Sequence, residues 1–83
     1  MRVLLADDQA QVRSALRLLL TQEPGLSVVG EATEAQALLA QAEDIHPDMV
    51  LLDWELPGLQ AADPLSTLRA RCHSLTLVEM TNP

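Results

Sequence analysis

Short apolar runs alternate with helical spacings along the whole chain. Val3 to Ala6 is a continuous apolar run, short enough for a buried strand, and Asp7-Asp8 ends it. From Gln9 to Gln22 the apolar residues Val12, Ala15, Leu16, Leu19 and Leu20 fall on one helical face. Arg13 and Arg17 lie four apart on another face, which reads as solvated, and Pro24-Gly25 closes the helix. Leu26 to Gly30 is a second strand. Thr33 stands three residues before Gln36, a capping-box spacing, and opens a helix carrying Ala35, Leu38, Leu39, Ala42 and Ile45. His46-Pro47 ends that helix, because the residue before proline avoids helical geometry. Met49 to Leu52 is the third strand, stopped by Asp53 and followed by a turn at Pro57-Gly58. Asp63-Pro64 reads as an N-cap and first-turn proline, with Leu65, Leu68 and Cys72 on the third helix's apolar side. Leu75 to Met80 is a fourth strand.

The predicted order is β-α-β-α-β-α-β. Unalternating apolar strands joined by helices argue for an α/β fold, a parallel sheet covered on both faces with right-handed crossovers. No internal repeat, low-complexity stretch or domain linker interrupts the 83 residues, so the expectation is one domain over 1–83.

Composition narrows the picture. Apolar residues make up 48% of the chain, but Trp54 is the only aromatic, so the core must be built from Leu, Val, Ala and Met. The formal net charge is −7, from twelve acids against five arginines, with no lysine. Such a chain repels phosphate backbones, which excludes direct nucleic-acid binding. Cys72 is the single cysteine, so no internal disulfide is possible. No run approaches the ~18 apolar residues of a membrane span. The N-terminus reaches Asp7-Asp8 after a very short apolar run, unlike a signal peptide. The expectation is a soluble, cytoplasmic protein.

The acids carry the candidate chemistry. In an open parallel sheet, ligands bind beyond the carboxyl ends of the strands. Asp7 and Asp8 follow the first strand and Asp53 the third, so neighbouring strands would bring three carboxylates together. Asp7-Asp8 alone would pass for a helix cap, and Asp53 alone for a turn residue. Together they favour a site for Mg²⁺, a hard cation that takes oxygen ligands and keeps several waters. A carboxylate beside such an ion can attack phosphorus to give an acyl phosphate. Thr81, after the fourth strand, is the candidate hydroxyl for a phosphoryl oxygen, with a frayed terminus as the alternative. His46 and His73 lack a second ligand at metal spacing and read as loop residues, and Trp54 as a residue of the site's rim.

The stretches "RVLLADDQAQVRSALRLLL", "PDMVLLDWELPG" and "LTLVEMT" resemble the receiver domain of bacterial two-component response regulators, closest to receivers that precede a helix-turn-helix output domain. The resemblance implies a partial flavodoxin-like three-layer sandwich with parallel strand order 2-1-3-4, lacking the family's fifth strand and last two helices. It implies phosphorelay signal transduction: Asp53 accepts a phosphoryl group from a sensor histidine kinase, and the domain is not itself a conventional enzyme. Asp7, Asp8, Asp53 and the backbone carbonyl of Glu55 would hold Mg²⁺, and Thr81 would be the switch hydroxyl. The chain departs from the family in having no lysine to neutralise the acyl phosphate, in Gln60-Ala61 where Asp-Gly is usual, and in Glu79 within an apolar strand. The lysine's absence implies weak coupling of phosphorylation to shape. Glu79 implies a partly exposed fourth strand, since a buried unpaired acid is costly.

A rival function is a degenerate receiver acting only as an interaction or dimerisation module, without phosphotransfer. An aspartyl phosphatase fits worse: a second acid two residues after Asp53 exists only as Glu55, and no lysine supports it. An exposed apolar edge at the fourth strand implies a homodimer or a strand or segment exchange.

Overall fold

A computed structural model gives the structure of residues 1–59, 64–71 and 75–80, with side chains described from 66 onward in the third helix. Four strands and three helices alternate: β1 (Arg2–Ala6), α1 (Ala10–Thr21), β2 (Ser27–Ala32), α2 (Ala35–Ile45), β3 (Met49–Asp53), α3 (Pro64–Arg71) and β4 (Thr76–Met80). All pairings are parallel and the strand order is β2-β1-β3-β4, the flavodoxin-like order the resemblance implies. Thr81, Cys72, His73, Gln60, Ala61 and Asp63 lie outside the described residues.

Strand alternation assigns the two faces. Leu4, Ala6, Val50 and Leu52 project to one side and pack with Ala35, Leu38 and Ala42 of α2 and Leu68 of α3. Leu77 and Leu75 lie against the same cluster. The opposite side holds Val3 and Leu5, both fully buried. Gly30 and Glu31 show that the helices lie on different faces of β2. A Cβ at Gly30 would meet Gln41 and Ile45 of α2, whereas Glu31 pairs with Arg13 and Arg17 of α1. The register of β1 against β2 shifts between Val3 and Leu4, skipping Val29 as in a β-bulge.

Three local expectations change. The cap of α2 is Glu34, not Thr33: its carboxylate accepts the Ala37 N–H at 2.7 Å from an extended backbone. Glu is long enough to reach the third helical N–H, so it satisfies the donor that the Thr33 reading assigned one residue earlier. Strand β2 runs two residues past Gly30, to Ala32, which brings Glu31 into the sheet. Helix α1 has its apolar stripe, but none of its residues is fully buried, and Leu18 and Leu19 are more than 60% exposed. The end of α2 follows the proline reading, with His46 in the left-handed region as its C-cap. Glu79 is exposed, so its charge needs no buried partner.

Candidate metal and phosphoryl site

Asp7 directly follows β1, and Asp53 is the last residue of β3. Because β1 and β3 pair in parallel, with Ala6 opposite Leu52, both acids emerge at the same end of the sheet. Asp8 joins them from the turn into α1. One carboxylate oxygen from each of Asp7, Asp8 and Asp53 lies within 4.8 Å of the others. Asp7 and Asp53 are buried, each 4% exposed, while Asp8 is exposed.

Local hydrogen bonds fix the two buried acids. The Asp7 N–H donates to the Ala32 carbonyl at 3.0 Å, continuing the β1–β2 ladder. Its Oδ1 accepts the Gln9 N–H at 2.8 Å, and its carbonyl accepts Arg13 Nη1 at 2.8 Å. The Asp53 Oδ1 accepts the Glu55 N–H at 3.1 Å, a turn of the Asx type that starts the β3–α3 loop. Leu56 and Leu59 anchor that loop in the core, and the Pro57 carbonyl accepts the Ala35 N–H at the start of α2. Gly58 turns the loop with φ +83°, a conformation that disfavours any residue with a Cβ. Beyond Asp53, Trp54 is 46% exposed and its N–H donates to the Met80 carbonyl.

Burial, more than any other cause, raises the Asp7 pKa above the usual carboxylate range. The Gln9 N–H opposes this, the Asp53 and Asp8 charges add to the rise, and Arg13 pulls it down. Two buried like charges at one end of a sheet are costly unless a cation joins them. Three carboxylate oxygens at this spacing are the donor set of a hard divalent ion, so the residues present fit Mg²⁺.

The expected ligands Asp7, Asp8 and Asp53 are thus brought together. Glu55 lies beside them through its N–H bond to Asp53, while Thr81 lies outside the described residues. The spacing of Arg13 to Arg17 reads as a solvated face, yet Arg13 is 18% exposed at the side chain and bonds both Glu31 and the Asp7 backbone. Its one signal in the sequence is its place on the helix that follows the acid pair; the partner, Glu31, is remote in sequence.

The family model of the response regulator receiver domain matches residues 3–82. The chain is 34% identical over 76 residues to the nitrate/nitrite response regulator protein NarL of Escherichia coli (strain K12), covering 92% of this chain and 35% of that protein. It is 47% identical over 73 residues to protein-glutamate methylesterase/protein-glutamine glutaminase 2 of Cereibacter sphaeroides, covering 88% of this chain and 19% of that one. This chain therefore spans well under half the length of these relatives. Among solved structures, a LuxR-family two-component response regulator from Aurantimonas sp. SI85-9A1 superposes with TM-score 0.86 at 30% identity, over 96% of this chain and 57% of that one.

Proposed function

The chain belongs to the response regulator receiver domain family, and from that premise we propose that residues 1–83 form a receiver unit that accepts a phosphoryl group on Asp53 from a histidine kinase. The family is a regulatory one, associated with two-component signalling, and not a classical enzyme. The observation that carries the reading is the convergence of Asp7, Asp8 and Asp53 at one end of the sheet. Asp7 and Asp8, with Asp53 and the Glu55 backbone carbonyl, would hold Mg²⁺, which supplies neutralisation of charge on the phosphoryl oxygens. An Asp53 carboxylate oxygen attacks phosphorus; the new O–P bond forms as the bond from phosphorus to the donor's leaving group breaks. The Glu55 N–H holds the Asp53 carboxylate through the loop turn, so the nucleophile is placed before the donor arrives. Thr81 is the proposed switch hydroxyl.

Intact-mass measurement after incubation with a small acyl phosphate donor and Mg²⁺ tests this. One added phosphoryl group is expected, absent without Mg²⁺ and absent in Asp53→Asn. No addition to the native chain, with Mg²⁺ binding intact, would favour the rival reading as an interaction module.

A second observation bears on partners. Strand β4 bonds to β3 alone among the described strands, and Val78 is 38% exposed. This supports pairing with a second copy through β4. The net charge of −7 argues against direct nucleic-acid binding by this chain. No helix among the described residues is long and apolar enough to cross a membrane, and a cytoplasmic location accords with the proposed signalling role.

A further inference from the structure

We propose that Arg13 is a positioning residue of the acidic site: braced by Glu31, it fixes the peptide joining Asp7 to Asp8 and so aims the Asp8 carboxylate toward Asp53. The inference rests on the metal-site reading. Asp7 is held at three points: its N–H by Ala32, its carboxylate by Gln9 and its carbonyl by Arg13. The third point differs from the others. The Asp7 carbonyl belongs to the planar peptide that carries the Asp8 nitrogen and Cα. Fixing that oxygen sets the direction in which the chain presents Asp8. The Asp8 carboxylate is exposed and takes no hydrogen bond among the described residues, so its aim depends on its backbone.

Arg13 is itself braced. Its Nε donates to Glu31 Oε1 at 3.0 Å, and the second Glu31 oxygen takes both Nε and Nη2 of Arg17, at 3.1 and 2.7 Å. The Glu31 carbonyl accepts Gln41 Nε2 from α2 at 2.7 Å. Glu31 is therefore tied to the sheet and to both helical layers, and Arg13 transmits that rigidity to the site. A guanidinium can do this because Nε and Nη1 point in different directions from one rigid plane. A lysine ammonium has the charge but not the fork.

Charge and position predict opposite outcomes. As a mere positive charge, Arg13 repels a cation, and its removal would tighten metal binding. As a positioning group, its removal weakens binding. Partners that orient metal ligands typically cost about 10–100-fold in affinity when removed.

The test is titration of the full chain with Mn²⁺, a cation that suits carboxylate sites, followed by loss of the free-ion electron paramagnetic resonance signal. Circular dichroism verifies the fold of each variant. We expect Arg13→Lys and Arg13→Gln each to weaken Mn²⁺ binding by roughly tenfold, Glu31→Gln to weaken it less, and Arg17→Gln to weaken it least, since it removes only the second brace on Glu31. If Arg13→Gln does not fold, Arg13→Lys carries the same comparison. The double variant with Asp8→Asn separates positioning from general weakening: once the Asp8 carboxylate is gone, losing Arg13 should cost no further affinity. Tighter binding by Arg13→Gln, unchanged binding by Arg13→Lys, or additive losses with Asp8→Asn would overturn the proposal. Failure of the native chain to bind Mn²⁺ would instead overturn the metal-site reading on which it rests.

Discussion

Asp7, the residue after β1, and Asp53, the last residue of β3, end neighbouring parallel strands and are each 4% exposed. Two carboxylates thus share a nearly dry corner, with Asp8 beside them. In the metal-free protein this is a strained arrangement, since like charges at low solvation oppose one another. Asp53→Asn keeps the shape and the acceptor for the Glu55 N–H but removes one charge. We expect it to stabilise the metal-free chain by roughly 1–3 kcal/mol, raising the thermal midpoint by several degrees. Chemical denaturation in the presence of a chelator checks this; a loss of stability would mean that the protein alone already satisfies the Asp53 charge.

Mg²⁺ should reverse that ranking. A ligand that binds only the folded state adds about 2.7 kcal/mol at 100 times its dissociation constant. The native chain should gain this and Asp53→Asn should not. Trp54, the sole tryptophan and adjacent to Asp53, supplies an independent readout of the same event through its emission. Equal stabilisation of both proteins by Mg²⁺ would place the ion elsewhere.

Glu31 sets an acid limit on the brace. The Arg17 hydrogen bond, as the largest cause, lowers its pKa; Arg17's charge and the bond and charge of Arg13 add to this, outweighing the rise from burial. A lowered carboxylate pKa means that its contribution to stability is fully present above the unfolded-state value, near 4.5, and is lost as pH falls through the folded-state value. The Glu31 side chain is 32% exposed, and solvent screening holds the contribution to roughly 1 kcal/mol. The difference in unfolding free energy between the native chain and Glu31→Gln should be flat at neutral pH and shrink below about pH 4.5. A difference that persists undiminished at lower pH would show that the charge is not its source.

The strand and helix order was legible because each element satisfies a local rule. Apolar runs such as Met49–Leu52 bury without alternation, and Pro47, Pro57 and Gly58 punctuate them. The acid cluster followed from the same rules, since parallel strands deliver their ends to one side. The brace did not follow. Arg13 and Glu31 pair across the fold through a strand that continues two residues past Gly30, and periodicity carries no information about partners remote in sequence. The depth of α1 was also illegible. Leu19 sits on the helix's apolar stripe but is 61% exposed, because an apolar stripe records what a helix can bury and not what lies over it.

That difference is measurable. Leu38 of α2 is fully buried among Leu4, Val50 and Leu52, and Leu38→Ala should cost about 2–5 kcal/mol. In a chain of this size such a loss approaches the total stability. Leu19→Gln should fall within about 0.5 kcal/mol of the native value. Urea titrations of the two variants give the comparison; a large loss in Leu19→Gln would mean that the Leu19 side of α1 is covered in solution.

Strand β4 is an edge of the sheet among the described strands. Val78 lies opposite Leu51 in the register, and the half-buried Met49 and Met80 share that face. An apolar strand with one open edge can pair with a second copy of itself, adding ladder hydrogen bonds and burying Val78 at once. The expected result by light scattering on a size-exclusion column is concentration-dependent dimerisation of the native chain. Val78→Lys should shift the equilibrium to monomer while leaving Mg²⁺ binding intact, because a lysine there stays solvated in the monomer and is desolvated in the paired sheet. Exposed Glu79 already places one like charge near any self-pairing, so added salt should strengthen the native dimer by screening it. A clean monomer at high protein concentration and high salt would rule out pairing through β4.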